Sequence, residues 1–171
     1  LLILGIIGLL GLVFIINAAQ NASRGPSLTN LVARLQKLQT VSEKFTPRLK
    51  SSQLQDANSS LTAVLTTANK SIETPAAAQN IDVKKDLKTI TALDPPTKLE
   101  EKFEEAYLNA DLDNTYAYTM NTELADTLLM MNRIKEGSRS KSTIDFLEKT
   151  ISDLTNVRKQ LMAITGDSGK S

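Results

Sequence analysis

Apolar positions follow two regimes along this chain. Leu1–Ile16 is sixteen residues without a polar side chain, LLILGIIGLLGLVFII, whereas later apolar residues are spaced among polar ones. As a helix the first segment spans about 24 Å, slightly short of a ~30 Å hydrocarbon core, and Asn17-Ala18-Ala19 extend it. The pattern predicts a transmembrane or hydrophobic assembly helix over residues 1–19, then a linker over 20–27. The apolar run exceeds a usual signal-peptide core and no Ala-x-Ala signature follows within Ile16–Arg24, which favours a retained helix over a removed leader. The chain begins without Met, so residues upstream of Leu1 are expected. Leu1, Leu4, Phe14 and Ile16 supply apolar surface for lipid or for another helix. Gly5, Gly8 and Gly11 recur every three residues and give a second helix room to approach. The four-residue spacing of membrane dimer motifs is absent, so ordinary membrane-helix glycine is the plainer reading.

From Ser27 onward the period becomes helical. Ser27 is the expected N-cap, and Leu28, Leu31, Leu35, Leu38, Phe45 and Leu49 recur at three- and four-residue steps with Ser42 in one slot. Pro47 either ends this helix and opens another, capped by Thr46, or kinks it. A second stripe runs through Leu54, Ala57, Leu61, Val64, Leu65, Ala68 and Ile72, and residues 75–80 read as a loop. A short helix is expected within 81–93, stopped by Asp94-Pro95-Pro96. Thr97–Lys135 reads as a long amphipathic segment with a polar patch at Asn109–Thr115, a candidate kink or break, ended by Gly137-Ser138. For the last helix, Ser142 and Asp145 suggest a capping box, and Ile144, Leu147, Ile151, Leu154, Leu161 and Ile164 make the stripe. Asp145 and Lys149 stand at the favourable acid-before-base spacing. Gly166 is the expected stop and residues 166–171 a polar tail. The fold class is therefore all-α: a membrane helix followed by an antiparallel four-helix bundle over 28–165.

Composition removes whole chemistries. The 171 residues contain no His and no Cys, which excludes His bases, Cys nucleophiles, the usual zinc sites, His-ligated haem and Cys-held clusters. No cofactor is expected. Twenty basic and nineteen acidic residues leave a net charge of +1, aromatics are 4%, and Trp is absent. Neither a basic excess nor a stacking platform for nucleic acid is present.

Three constellations bear inspection. Glu100, Glu101, Glu104, Glu105, Asp111 and Asp113 form an acidic region, and Asp111-x-Asp113-x-Thr115 starts like a calcium loop. Tyr116 occupies the position that needs Gly, however, and Glu123 falls one residue late, so a solvated helix face is the better expectation. Tyr107, Tyr116, Tyr118, Met120, Met130 and Met131 suggest a ligand pocket or, more simply, core and interface at helical spacing. Asn21, Asn58 and Asn69 each begin an Asn-x-Ser sequon, a match that chance produces in a chain rich in Asn, Ser and Thr.

The segment Leu112-Asp113-x-x-Tyr116-x-x-x-Met120-x-x-x-Leu124 resembles the third helix of the ferritin-like four-helix domains of unknown function from bacterial periplasm and outer membranes. That family shows Phe-Asp-x-x-Tyr-x-x-x-Met and then, four residues on, His. Phe45, Leu49, Ala57, Asn58 and Leu61 suit its earlier helices, giving coverage of roughly residues 28–165. Leu112 stands in place of Phe and Leu124 in place of His, so the resemblance implies the architecture and an envelope location without a metal centre. The expected function is a non-enzymatic, membrane-anchored structural or interaction subunit of a bacterial cell-envelope assembly, its helical domain extracytoplasmic. Expected partners are membrane lipid and protein, self-association included. A pilin-like filament subunit is the alternative, although Gly5 stands where bacterial pilins carry Glu. A ligand- or stress-sensing envelope domain is a second alternative.

Overall fold

The computed structural model describes residues 26–167. Among them every regular element is helical: α1 (Leu28–Phe45), a 3-10 turn (Thr46–Arg48), α2 (Ser52–Ser71), α3 (Glu73–Ala77), α4 (Val83–Thr91), α5 (Thr97–Leu108), α6 (Leu112–Gly137) and α7 (Lys141–Asp167). No helix among the described residues is long and apolar enough to cross a membrane. The expected membrane helix, residues 1–19, lies outside the described residues.

Local chemistry sets the boundaries. Ser27 caps α1 by accepting from the Asn30 N–H at 3.3 Å. Pro47 ends that helix rather than kinking it: the chain leaves through the 3-10 turn, and Ser51 caps α2 by accepting from the Leu54 N–H. Asp82 caps α4 by accepting from the Lys85 N–H at 3.0 Å. The expected 75–80 loop is partly helical, because Pro75 sits in the first turn of α3, where its missing N–H costs nothing. The long segment from Thr97 divides cleanly. Ala110 adopts a left-handed φ of 57°, the Asp111 N–H donates to the Ala106 carbonyl at 2.9 Å, and the Ala110 N–H donates to Tyr107 at 3.1 Å. These two bonds close α5 as a Schellman motif. Asn80, at φ 59°, ends the α3 region in the same way, with the Ile81 N–H donating to Ala76.

α7 corrects several expectations. Its cap is Ser140, whose hydroxyl accepts from the Thr143 N–H, not Ser142. Asp145 pairs backward with Lys141 at 2.9 Å, and Lys149 pairs forward with Asp153 at 2.8 Å, so the Asp145–Lys149 pair does not form. The core stripe is Thr143, Leu147, Thr150, Leu154, Val157 and Leu161, with Phe146 beside it, while Ile144, Ile151 and Ile164 are half-buried. Thr150 is tolerated there because its hydroxyl donates to the Phe146 carbonyl at 2.8 Å. Gly166 does not stop the helix, which reaches Asp167. Gly137 likewise is the last residue of α6 rather than a left-handed cap.

The four long helices form a ring in the order α1–α2–α7–α6, each packed against the next. Side-chain pairings fix the directions. Ser42 meets Thr62 and Thr46 meets Asn58, so α1 and α2 run antiparallel. Arg34 meets Glu123 while Phe45 reaches Tyr116 through Phe103, so α1 and α6 are antiparallel too. Lys135 meets Glu148 and Arg158 meets the Asn121 carbonyl across α6 and α7. One cleft joins Ala68 and Ser71 to Phe146, and another joins Gln53 to Gln160, across α2 and α7. Every neighbour in the ring is antiparallel. Helices α2 and α6 therefore start at the same end, and a connection running the length of the bundle is required between them. Helices α3, α4 and α5 supply it as one long crossover laid along α1.

The crossover explains why α1 is buried on more than one face. Leu31, Val32 and Ala33 are consecutive and all fully buried, and at 100° per residue they sweep far more than a single stripe. Helices α2 and α6 cover one side of α1, and α4 and α5 cover the other.

Candidate functional site

The crossover lies on α1 along a seam of ion pairs with a fixed polarity. Arg34, Lys37, Lys44 and Arg48 come from α1 and the turn after it. Asp94, Glu100 and Glu104 come from the crossover, with Glu123 from α6. Arg34 Nε lies 2.8 Å from Asp94 and its Nη1 donates to Glu123 at 2.6 Å. Lys37 Nζ bridges the same two carboxylates at 3.1 and 2.9 Å. These four groups form a neutral box, and Lys37 is only 8% exposed. Two acids neutralise two bases here, which is what permits a lysine to sit so deep, although the buried Arg34 Nε makes no hydrogen bond. Farther along, Lys44 pairs with Glu100 at 2.9 Å, and Arg48 donates to Glu104. The Lys44 ammonium is raised above its ordinary pKa, first by its hydrogen bond to Glu100. The Glu104 carboxyl is lowered, first by its hydrogen bond from Arg48.

Beyond the seam, the ends of α1 and α2 enclose a buried polar network. Asn58 is fully buried; its Nδ2 donates to the Ser42 carbonyl at 3.0 Å and to Thr46 Oγ1 at 2.7 Å, and its Oδ1 accepts from the Tyr116 hydroxyl. Thr46 Oγ1 donates in turn to the Ser42 carbonyl, and Ser42 and Thr62 share a hydroxyl contact of 2.9 Å. Rings pack over this network, Phe45 edge-on to Phe103 at 5.3 Å and Phe103 tilted on Tyr116 at 4.8 Å. Burial raises the Tyr116 pKa well above its ordinary value, so its hydroxyl keeps its proton and acts as a fixed donor. The chemistry of this network is registry: it fixes how α1, α2 and α6 align, because a one-turn slip would leave Asn58 and Tyr116 unpartnered.

The acidic region is put to structural use. Asp113 accepts the backbone N–H groups of Lys50 and Ser51, at 3.0 and 2.7 Å, and so holds the start of α2 from across the fold. Asp111 accepts from Thr115 Oγ1 at 2.8 Å and from Asn114 at 3.0 Å, bonds that lower its carboxyl pKa in that order. Glu100 and Glu104 serve the seam. No cluster of three or more acidic side chains suited to a metal ion occurs among the described residues. The Tyr and Met residues disperse: Tyr116, Met120 and Met131 are core, Met130 packs against it, and Tyr107 and Tyr118 are exposed. Arg48 sits over the Tyr107 ring at 5.1 Å. The sequons at Asn58 and Asn69 are buried in the folded bundle, Asn58 completely, so neither amide is open to a glycan.

The residues expected to make the membrane or assembly contact, Leu1, Leu4, Gly5, Gly8, Gly11, Phe14 and Ile16, lie outside the described residues. Sequence reasoning overlooked the seam, although its signal was present: Arg34, Lys37, Lys44 and Arg48 fall at helical steps opposite an acidic stretch. The chain matches no protein-family model, no curated protein and no solved structure.

Proposed function

We propose that the chain is a non-enzymatic, membrane-anchored structural or interaction subunit of a bacterial cell-envelope assembly, held by Leu1–Ile16 with its helical bundle outside the cytoplasm. One observation carries the reading. The sequence places sixteen consecutive residues without a polar side chain, Leu1–Ile16, ahead of helices whose large apolar residues, from Leu28 through Leu161, pack into a core of their own. An apolar run of that length is stabilised by an apolar partner, which this reading takes to be lipid or the same segment of other copies. The structural rather than catalytic reading rests on the lack of His and Cys in the sequence and on acidic groups that hold helices together, Asp113 at the start of α2 and Glu100 and Glu104 in the seam. The resemblance to ferritin-like envelope domains belongs to this proposal. A single long crossover is the connectivity such bundles use, which supports it.

Membrane fractionation of the full chain tests the anchor. Retention through alkaline carbonate washing, with release by detergent as a small complex, is the expected result. Release of the intact protein by carbonate, residues 1–16 still attached, overturns the anchor. Recovery as sheared fibres replaces it with a filament whose centre is the same segment.

A further inference from the structure

Beside the seam, the surface opens into a groove of about 570 Å³ between α5 and α6. That size suits a small organic ligand. Lys37, Asp94 and Glu123 of the charged box line it, and Arg34 behind them completes the neutralisation of the two carboxylates. The rest of its lining differs in character. Lys98 and Lys102 line it one helical turn apart on α5, and neither has an ion-pair partner among the described residues. Like charges at that spacing repel weakly in solvent, and an anion held between the two ammonium groups relieves that repulsion. Along the seam, by contrast, each of Arg34, Lys37, Lys44 and Arg48 is paired with a carboxylate. The opposite wall contains a second unmet group. Thr119 is 6% exposed, and its hydroxyl has no hydrogen-bond partner. Between these polar elements the lining is apolar, with Leu99 buried and the Tyr118 ring 66% exposed at the mouth.

We propose that this groove binds a small amphipathic anion, a carboxylate or sulfonate carried on a flat apolar body. The anionic head sits between Lys98 and Lys102, and the body lies along Leu99 and the face of Tyr118. The charged box contributes no net charge, so the two lysines set the sign of the ligand. The proposal is independent of the membrane anchor, since every residue in it belongs to the bundle.

The test uses the full chain reconstituted in nanodiscs of zwitterionic lipid, with 2-naphthoate as the probe and uncharged 2-naphthamide as its control. Methyl NMR shifts of Leu99, Thr119 and Thr122 report occupancy. Expected is one saturable site for naphthoate, weakened roughly tenfold in Lys98→Gln/Lys102→Gln and roughly tenfold weaker for the amide. Both lysines are exposed, and an unchanged melting temperature confirms that the double variant is folded. The proposal is overturned by the absence of saturable shifts at these methyls, by equal binding of the amide, or by undiminished naphthoate binding in the double variant.

Discussion

The four-helix ring and the crossover are held by different forces. In the ring, α1 alone buries Leu28, Leu31, Val32, Leu35, Leu38, Val41 and Phe45. Each large apolar side chain contributes about 1.5–3 kcal/mol on burial. The first half of the crossover buries little: Pro75 and Ala76 from α3, Val83 and Ile90 from α4. The second half, α5, buries Leu99, Phe103 and Ala106 beside the ion-pair seam, whose exposed pairs add little. One chain thus carries a frame held throughout by burial and a strap whose first half is lightly held and whose second half adds salt-sensitive pairs to an apolar anchor. The strap is the part expected to open locally while the frame stays folded.

The largest expected effects set one region against the other. Leu35→Ala, in the centre of α1, is expected to lower global stability by about 2–5 kcal/mol in urea denaturation. Ile90→Ala, the main apolar contact of α4, is expected to cost less globally and to act chiefly on hydrogen-exchange protection across Val83–Thr91. Equal global losses from the two would show that strap and frame unfold as one unit.

Acid sharpens the same distinction by acting on charge alone. The Glu104 carboxyl is held below its ordinary value of 4.5 by Arg48. Its contribution is therefore complete above that value and lost as pH falls through the lower native one. Asp111, held below 3.8 by Thr115 and Asn114, behaves likewise at the α5–α6 corner. Lys44 has the opposite sign. Its pKa is raised above 10.5, so its contribution is complete below that value and lost as pH rises through the native one. Amide exchange in α5 is expected to accelerate below about pH 4 while α1 and α7 stay protected. Simultaneous loss in all three helices would place the seam inside the frame. The smallest effect is local: Ala110→Gly relieves a left-handed alanine and loses some unfolded-state advantage, for a net gain of roughly 0.5 kcal/mol in thermal unfolding.

What the sequence revealed, and what it hid, follows from the range of each interaction. Ser27, Pro47 and Pro95-Pro96 act on their own backbone, and each marks a boundary that the structure retains. The stop at Ala110 was hidden because the Schellman motif usually announces itself with Gly, and here the following contacts hold an alanine in that conformation. Ser140 and Ser142 are equally good caps in isolation, and the packing of Thr143 into the core decides between them. The one-stripe reading of α1 missed Val32, Ala33 and Val41 because a second buried face exists only once the crossover is laid down. Asn58, read as part of a chance sequon, is a core residue, since the arrival of Tyr116 from 58 residues away satisfies its buried amide. The seam and the groove depend on the same long-range topology.

The antiparallel ring also gives the molecule two poles. Leu28 and the α6–α7 turn stand at one; the α1–α2 turn, the exposed Tyr107 and Leu108 corner and the end of α7 stand at the other. A 27-residue helix such as α7 is about 40 Å long. Leu108, 83% exposed, therefore stands about one α7 length from the pole at which the chain enters α1, so a contact at one pole leaves the other free for a second.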